Sequence, residues 1–257
     1  MAVEVHHRFY ANANSSEHIF IYHGLFGMSD NWHQIAHKLS ASYNVITVDL
    51  RNHGKSPHTP EMTYEKMAED ISFLMEKLSL SSAYHIGHSM GGKMIMKFAD
   101  MYPEKVDKLI VVDISPKGYK PSHTQYFKAF RSLDWSSFGS RKEADIALSE
   151  LEKNSGVRQF LLKNLTKSEK GYTLRLNVDV IHDFYEEMIG PMHFHAPISI
   201  PTLFIRGDSS DYILPNDYKL IESWFKNVVF KNIPNAGHWV HAEQPLETQR
   251  AILHFFK

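Results

Sequence analysis

The sequence contains no cysteine. That absence removes disulfides, thiolate nucleophiles and cysteine-ligated zinc together, so covalent chemistry must come from oxygen or nitrogen side chains. A charge excess is missing too. The 28 Lys and Arg stand against 29 Asp and Glu, a formal net charge of -1, and no global field favours nucleic acid or an anionic membrane surface. No segment reaches the ~18 uninterrupted apolar residues of a membrane span, and the first residues, Met1 to Arg8, hold no apolar signal core. The expectation is a cytoplasmic protein with neither nucleic-acid nor membrane partners. No cluster of residues has metal-ligand spacing, so no metal and no other cofactor is expected. Internal repeats and low-complexity tracts are also lacking.

What is present suits one enzyme-sized domain. With 257 residues, 43% apolar and 22% charged, the chain is long enough to bury a large core. Short apolar runs at 19–22, 44–48, 83–87, 108–112, 202–207 and 228–230 read as strands. Between them, helical apolar spacing marks 32–39, 64–78, 93–99, 216–225 and 246–256. Residues 3–12 alternate loosely and suggest a first strand pair. Strands alternating with helices at this spacing argue an α/β fold with a mostly parallel, doubly wound sheet. From 117 to 196 the alternation stops, and residues 124–133, 142–154, 157–164 and 178–190 read as short amphipathic helices. Eighty residues are too many for a loop, so the expected organisation is a core of 1–116 and 197–257 with a helical cap, 117–196, inserted in it.

The densest signal is Gly87-His88-Ser89-Met90-Gly91. A strand runs into it and a helix leaves it, which is the context of a nucleophile elbow. Glycine is needed on both sides because the turn is too tight for a Cβ. Such a turn lifts Ser89 Oγ clear of the sheet and aims the first N–H groups of the helix at a developing oxyanion. Serine is a weak nucleophile at neutral pH and needs a base. Most of the 17 histidines must be structural, but His238 follows the last strand in an Asn-Ala-Gly-His loop, over the carboxyl edge of the sheet where ligands bind.

Four motifs, His23-Gly24-Leu25-Phe26-Gly27, Asp49-x-Arg51-x-His53-Gly54-x-Ser56, Gly87-His88-Ser89-Met90-Gly91-Gly92 and Asn235-Ala236-Gly237-His238, occur in an order that resembles the α/β-hydrolase family. The likeness spans nearly the whole chain. Within that family the Gly-His-Ser-Met-Gly-Gly-Lys, Val-Val-Asp-Ile-Ser-Pro and Gly-His-Trp-Val-His-Ala-Glu runs are similar to bacterial YbfF-type carboxylesterases. The resemblance implies a serine carboxylesterase or thioesterase acting on small to medium acyl esters, acyl-CoA thioesters among them. It also implies Ser89 as nucleophile, His238 as general base, and the backbone N–H groups of Leu25 and Met90 as oxyanion hole. The side chains of Leu25 and Met90 are equally compatible with a simple role as pocket wall. A general base of this kind would give an acid limb at about 6 to 7.

The third triad member departs from the family's usual Gly-x-x-Asp, since position 210 is Ser210, between Asp208 and Asp211 separated from it by one and no residue. Asp113, at the end of the strand beside the nucleophile strand, is the favoured acid, because neighbouring strands are only ~4.8 Å apart. Ser210 as an orienting partner, then Asp208 or Asp211, are the alternatives. Lys93 reads as a lysine on an exposed helix face, His23 and His88 as packing and loop-anchoring residues, and Arg51-Asn52-His53 as a brace beneath the site. Readings of another kind stay open: a non-catalytic receptor or scaffold on the same fold, or a perhydrolase or C–C bond hydrolase using the same residues. Oligomeric state is not legible.

Overall fold

The computed structural model describes residues 1–169 and 171–257. Nine strands are present among them: β1 (His7–Tyr10), β2 (His18–Tyr22), β3 (Asn44–Val48), β4 (Ala83–His88), β5 (Val106–Val112), β6 (Leu165–Ser168), β7 (Gly171–Leu174), β8 (Thr202–Gly207) and β9 (Val228–Ile233). Seven of these form one sheet in the order β1-β3-β2-β4-β5-β8-β9. Only β1 is antiparallel to its neighbour. The chain is therefore an α/β protein with a mostly parallel sheet, as its pattern implied.

The strands read as unbroken apolar runs because helices cover both faces. In β2, Ile19 and Ile21 join the layer that holds Ile35, Leu39, Ile252 and Phe256, from the helices His33–Leu39 and Pro245–Phe256. Phe20 and Tyr22 point the other way, into the layer of Met67, Ile71, Met94 and Phe98, from the helices Tyr64–Lys77 and Met90–Met101. Thr63 caps the first of these by accepting a bond from Lys66 N–H at 3.2 Å. A buried ion pair fastens that helix to the loop after β3: Arg51 Nε and Nη2 each meet an Asp70 carboxylate oxygen at 2.7 Å.

The segment between β5 and β8 carries the helices Thr124–Ser132, Arg141–Ser149, Ser155–Leu162, Val178–Asp183 and Tyr185–Ile189. Four helical stretches were expected there; the last is divided at Phe184. The hairpin of β6 and β7 was not expected. Its strands have four residues each, too short to show alternation. At the N-terminus the expected strand pair over 3–12 is one strand, β1; residues ahead of it instead tie to the helix Tyr64–Lys77, Val3 N–H donating to Asp70 at 2.7 Å.

Candidate active site

Ser89 follows β4 directly and sits at φ 53, ψ -119, a left-handed conformation rare for a residue with a side chain. Ser89 N–H donates to Val112 C=O of β5 at 3.0 Å, and Lys93 N–H donates back to Ser89 C=O at 3.1 Å across the turn. A Cβ on Gly91 would lie 2.6 Å from the His23 carbonyl oxygen, and one on Gly87 would collide with the Gly91 carbonyl. Such a backbone costs on the order of 1–3 kcal/mol, and close glycine contacts hold it in place. Three further residues around the same site share positive φ: Phe26 (60), Asp113 (52) and Asn235 (56).

The carboxyl ends of β4, β5 and β8 and the loop after β9 bring together Ser89, Asp113, Ser210 and His238. His238 Nε2 lies 3.0 Å from Ser89 Oγ, and its Nδ1 lies 2.8 Å from Asp113 Oδ2. Asp113 is fully buried and receives Gly207 N–H at 3.1 Å on the other oxygen. The Ser210 hydroxyl also donates to Oδ2. Ser210 thus contacts the carboxylate, not the imidazole, which corrects its reading as a partner of His238. Asp208 and Asp211 are exposed and make no hydrogen bond to His238. Burial raises the Asp113 carboxyl above its ordinary range, against the Ser210 and Gly207 donors; with every neighbour placed to donate, it stands as a carboxylate acceptor. Burial lowers His238 from its ordinary 6.5, so the ring is neutral at pH 7 with its proton on Nδ1, an assignment made from its partners.

The imidazole and its loop have further support. Tyr212 stacks on it with centroids 3.7 Å apart and planes 16° from parallel. His88 Nε2–H donates to the His238 carbonyl at 2.8 Å, so His88 anchors the loop that carries the imidazole. On the other flank of Ser89, His23 Nδ1–H donates to Gly24 C=O at 2.8 Å while its Nε2 accepts Leu50 N–H at 3.0 Å. Neither Leu25 N–H nor Met90 N–H has an acceptor among the described residues. Met90 is the first residue of the helix Met90–Met101, whose N-terminal dipole favours negative charge.

A cavity of about 770 Å³ opens onto Ser89 and His238. Leu25, Tyr126, Phe160, Tyr212 and Trp239 supply much of its apolar wall. One residue read otherwise from the sequence corrects that reading. Lys93 is only 1% exposed; its Nζ donates to the Gly190 carbonyl at 2.5 Å and the Lys117 carbonyl at 3.0 Å, because the segment after β5 folds against that helix. Asn164, unremarked in the sequence, donates to Phe26 C=O at 2.8 Å across 138 residues. The expected brace at 51–53 exists: Asn52 C=O accepts Asn177 N–H at 3.0 Å and His53 Nε2 accepts Phe26 N–H at 3.3 Å. No group of three or more potential metal ligands occurs among the described residues, and no helix of theirs is long and apolar enough to cross a membrane.

A family model described as the alpha/beta hydrolase fold matches residues 17–245. The chain is 38% identical to the sn-1-specific diacylglycerol lipase ABHD11 of Danio rerio, over 97% of this chain and 81% of that protein. It is 36% identical to Esterase YbfF of Escherichia coli (strain K12), over 94% of this chain and 93% of that one. A solved structure described as a marine microorganism esterase superposes with a TM-score of 0.95 at 39% identity, covering 99% of this chain and all of that one. With its sheet, its elbow serine and these relatives, the chain belongs to the α/β-hydrolase family and is a carboxylic ester hydrolase.

Proposed function

We propose that Ser89, His238 and Asp113 form the catalytic triad of a metal-independent serine esterase, with the Leu25 and Met90 N–H groups as its oxyanion hole. One observation carries the reading: the unbroken chain of contacts from Ser89 Oγ through His238 to Asp113, at 3.0 and 2.8 Å. The Ser89 hydroxyl proton passes to His238 Nε2 as Oγ attacks the ester carbonyl carbon. The carbonyl π pair moves onto oxygen, and that oxyanion meets the two free N–H donors. His238 then gives its proton to the departing alkoxide, leaving an acyl-enzyme. Water repeats the steps, its proton going to His238 and then back to Ser89. Asp113 stabilises the imidazolium formed each time and does not itself take the proton.

Residues 117–196 act as a cap in this reading, since Tyr126, Val157 and Phe160 from that segment wall the cavity beside Ser89. A volume of about 770 Å³ falls in the ~300–1,000 Å³ range that encloses one small-molecule ligand. That supports small to medium acyl esters, with acyl-CoA thioesters as a second group whose acyl end would enter the cavity. Turnover of p-nitrophenyl butyrate by the parent, Ser89→Ala and His238→Ala enzymes, with and without EDTA, tests the proposal. Loss of activity in both variants and indifference to chelator are expected; an active Ser89→Ala enzyme overturns it. A perhydrolase or C–C bond hydrolase would instead show preferred turnover with peroxide or a diketone substrate.

A further inference from the structure

Leu25 N–H can serve an oxyanion only if its peptide plane is held, and the route by which it is held leads into the segment between β5 and β8. Gly24 C=O belongs to the same peptide as Leu25 N–H, and in a trans peptide the two point in opposite directions. Fixing one therefore fixes the other. Gly24 C=O accepts His23 Nδ1–H at 2.8 Å and Gly27 N–H at 2.9 Å, and the second of these leads on. The carbonyl that shares a peptide with Gly27 N–H is that of Phe26, which receives Asn164 Nδ2–H at 2.8 Å. Phe26 itself sits at φ 60, and its own N–H is taken by His53 Nε2 at 3.3 Å. His53 is free to accept there because its Nδ1–H donates to Arg51 C=O at 3.0 Å.

The Asn164 side chain is itself well determined. It is fully buried, and both oxygens around its Nδ2 are carbonyls, of Phe26 and Leu161, so the NH₂ must face them. Its Oδ1 has no hydrogen-bond partner. An unsatisfied buried oxygen is a cost that an apolar side chain of similar size would avoid. What such a side chain would lose is the donor to Phe26.

We infer that Asn164 and His53 are positioning residues for the oxyanion hole, clamping Phe26 from either side so that the Leu25 N–H faces the reacting carbonyl. This rests on the reading of Leu25 N–H as an oxyanion donor. The segment 117–196 then contributes to transition-state stabilisation as well as to the pocket wall, because one of its residues holds the Phe26 carbonyl, which no described core residue holds, while the core fastens Gly24 C=O and Phe26 N–H through His23 and His53.

The test compares kcat, KM and Tm for the parent, Asn164→Leu, His53→Phe and His53→Gln on p-nitrophenyl butyrate, with Ser89→Ala as control. A loosened donor affects the transition state more than substrate binding, so Asn164→Leu should lose about 10- to 100-fold in kcat with KM changed less than about twofold. Its Tm should stay close to that of the parent. His53→Phe should fall in the same way, and His53→Gln, whose side-chain carbonyl can still accept Phe26 N–H, should recover part of the loss. Should Asn164→Leu fail to fold, the His53 pair decides. Parent-like kcat in Asn164→Leu and His53→Phe, or losses that only follow the folded fraction, overturns the clamp. If Ser89→Ala remains active, the reading of the site falls first; if Ser89→Ala is dead and the clamp variants are normal, the clamp alone is wrong.

Discussion

His88 donates its Nε2–H to the backbone carbonyl of His238 at 2.8 Å, with the two ring centroids 4.7 Å apart. A residue one position before the elbow serine thus holds the loop that carries the base, 150 residues later. Reactive geometry tolerates little displacement, so His88→Ala should lower kcat by about 10- to 100-fold while leaving KM near the parent value. Steady-state kinetics on one p-nitrophenyl ester decides this, and an unchanged kcat would remove His88 from the account.

Asp113 and Ser210 should differ in size of effect. Replacing a triad carboxylate by its amide costs ~10⁴ in a serine protease, and Asp113→Asn should lose at least ~10²-fold in kcat. The Ser210 hydroxyl donates to the carboxylate and accepts Tyr212 N–H at 3.2 Å but does not reach the imidazole, so Ser210→Ala removes one of the donors to Asp113 and should cost about tenfold, the equivalent of ~1.4 kcal/mol. Asp208→Asn and Asp211→Asn, both at exposed positions, should be close to the parent. A near-normal Asp113→Asn enzyme contradicts the assignment.

The acid limb of kcat/KM should lie lower than a free imidazole would place it. His238 must be neutral to accept the Ser89 proton, and activity disappears as it becomes protonated. Burial, with the nearby His123 second, lowers its pKa from the ordinary 6.5, so activity should persist as pH falls through 6.5 and decline only in more acidic buffer. This places the limb below the range of about 6 to 7 that an exposed histidine implies. A limb at or above 6.5, measured with enzyme returned to neutral pH as a control for unfolding, would contradict it.

Lys93 gives a stability prediction. Burial lowers its pKa from 10.5 to about 7, so between those values the unfolded chain binds a proton that the folded one does not. Stability from this group therefore rises with pH across that window and is reduced below it. The difference in Tm between the parent and Lys93→Met should shift in favour of the parent as pH goes from 7 to 10. A difference that does not vary with pH would mean that the lysine stays charged throughout.

Much of the fold could be read from runs such as Ile19-Phe20-Ile21-Tyr22, because a strand covered on both faces must be apolar at every position. The elbow was legible for a local reason: Gly87 and Gly91 flank Ser89 within five residues. Asp113 against Ser210 was harder, since it depends on the register in which β5 and β8 pair, Val112 opposite Ile205, which sets Asp113 beside Gly207. Lys93 misled because a lysine in an amphipathic pattern marks the solvent face unless another segment covers it. Asn164 left no trace, and His88 was legible as a loop anchor without the loop it anchors, as each acts on a backbone carbonyl more than 130 residues away.

Acyl preference follows from the cavity. An ester series from C2 to C16 should peak at short to medium chains and decline after that, as a space of about 770 Å³ fills. Activity climbing steadily to C16, with a jump above the micelle concentration of the substrate, would contradict an enclosed pocket.

The central claim is that Ser89 is the atom donor to a covalent intermediate, and mass spectrometry after reaction with a serine-directed fluorophosphonate tests it most directly. The account predicts one adduct per chain, mapped to the Ser89 peptide, formed in step with loss of esterase activity and absent in Ser89→Ala. An enzyme inactivated with the adduct elsewhere, or fully active with Ser89 modified, would contradict it.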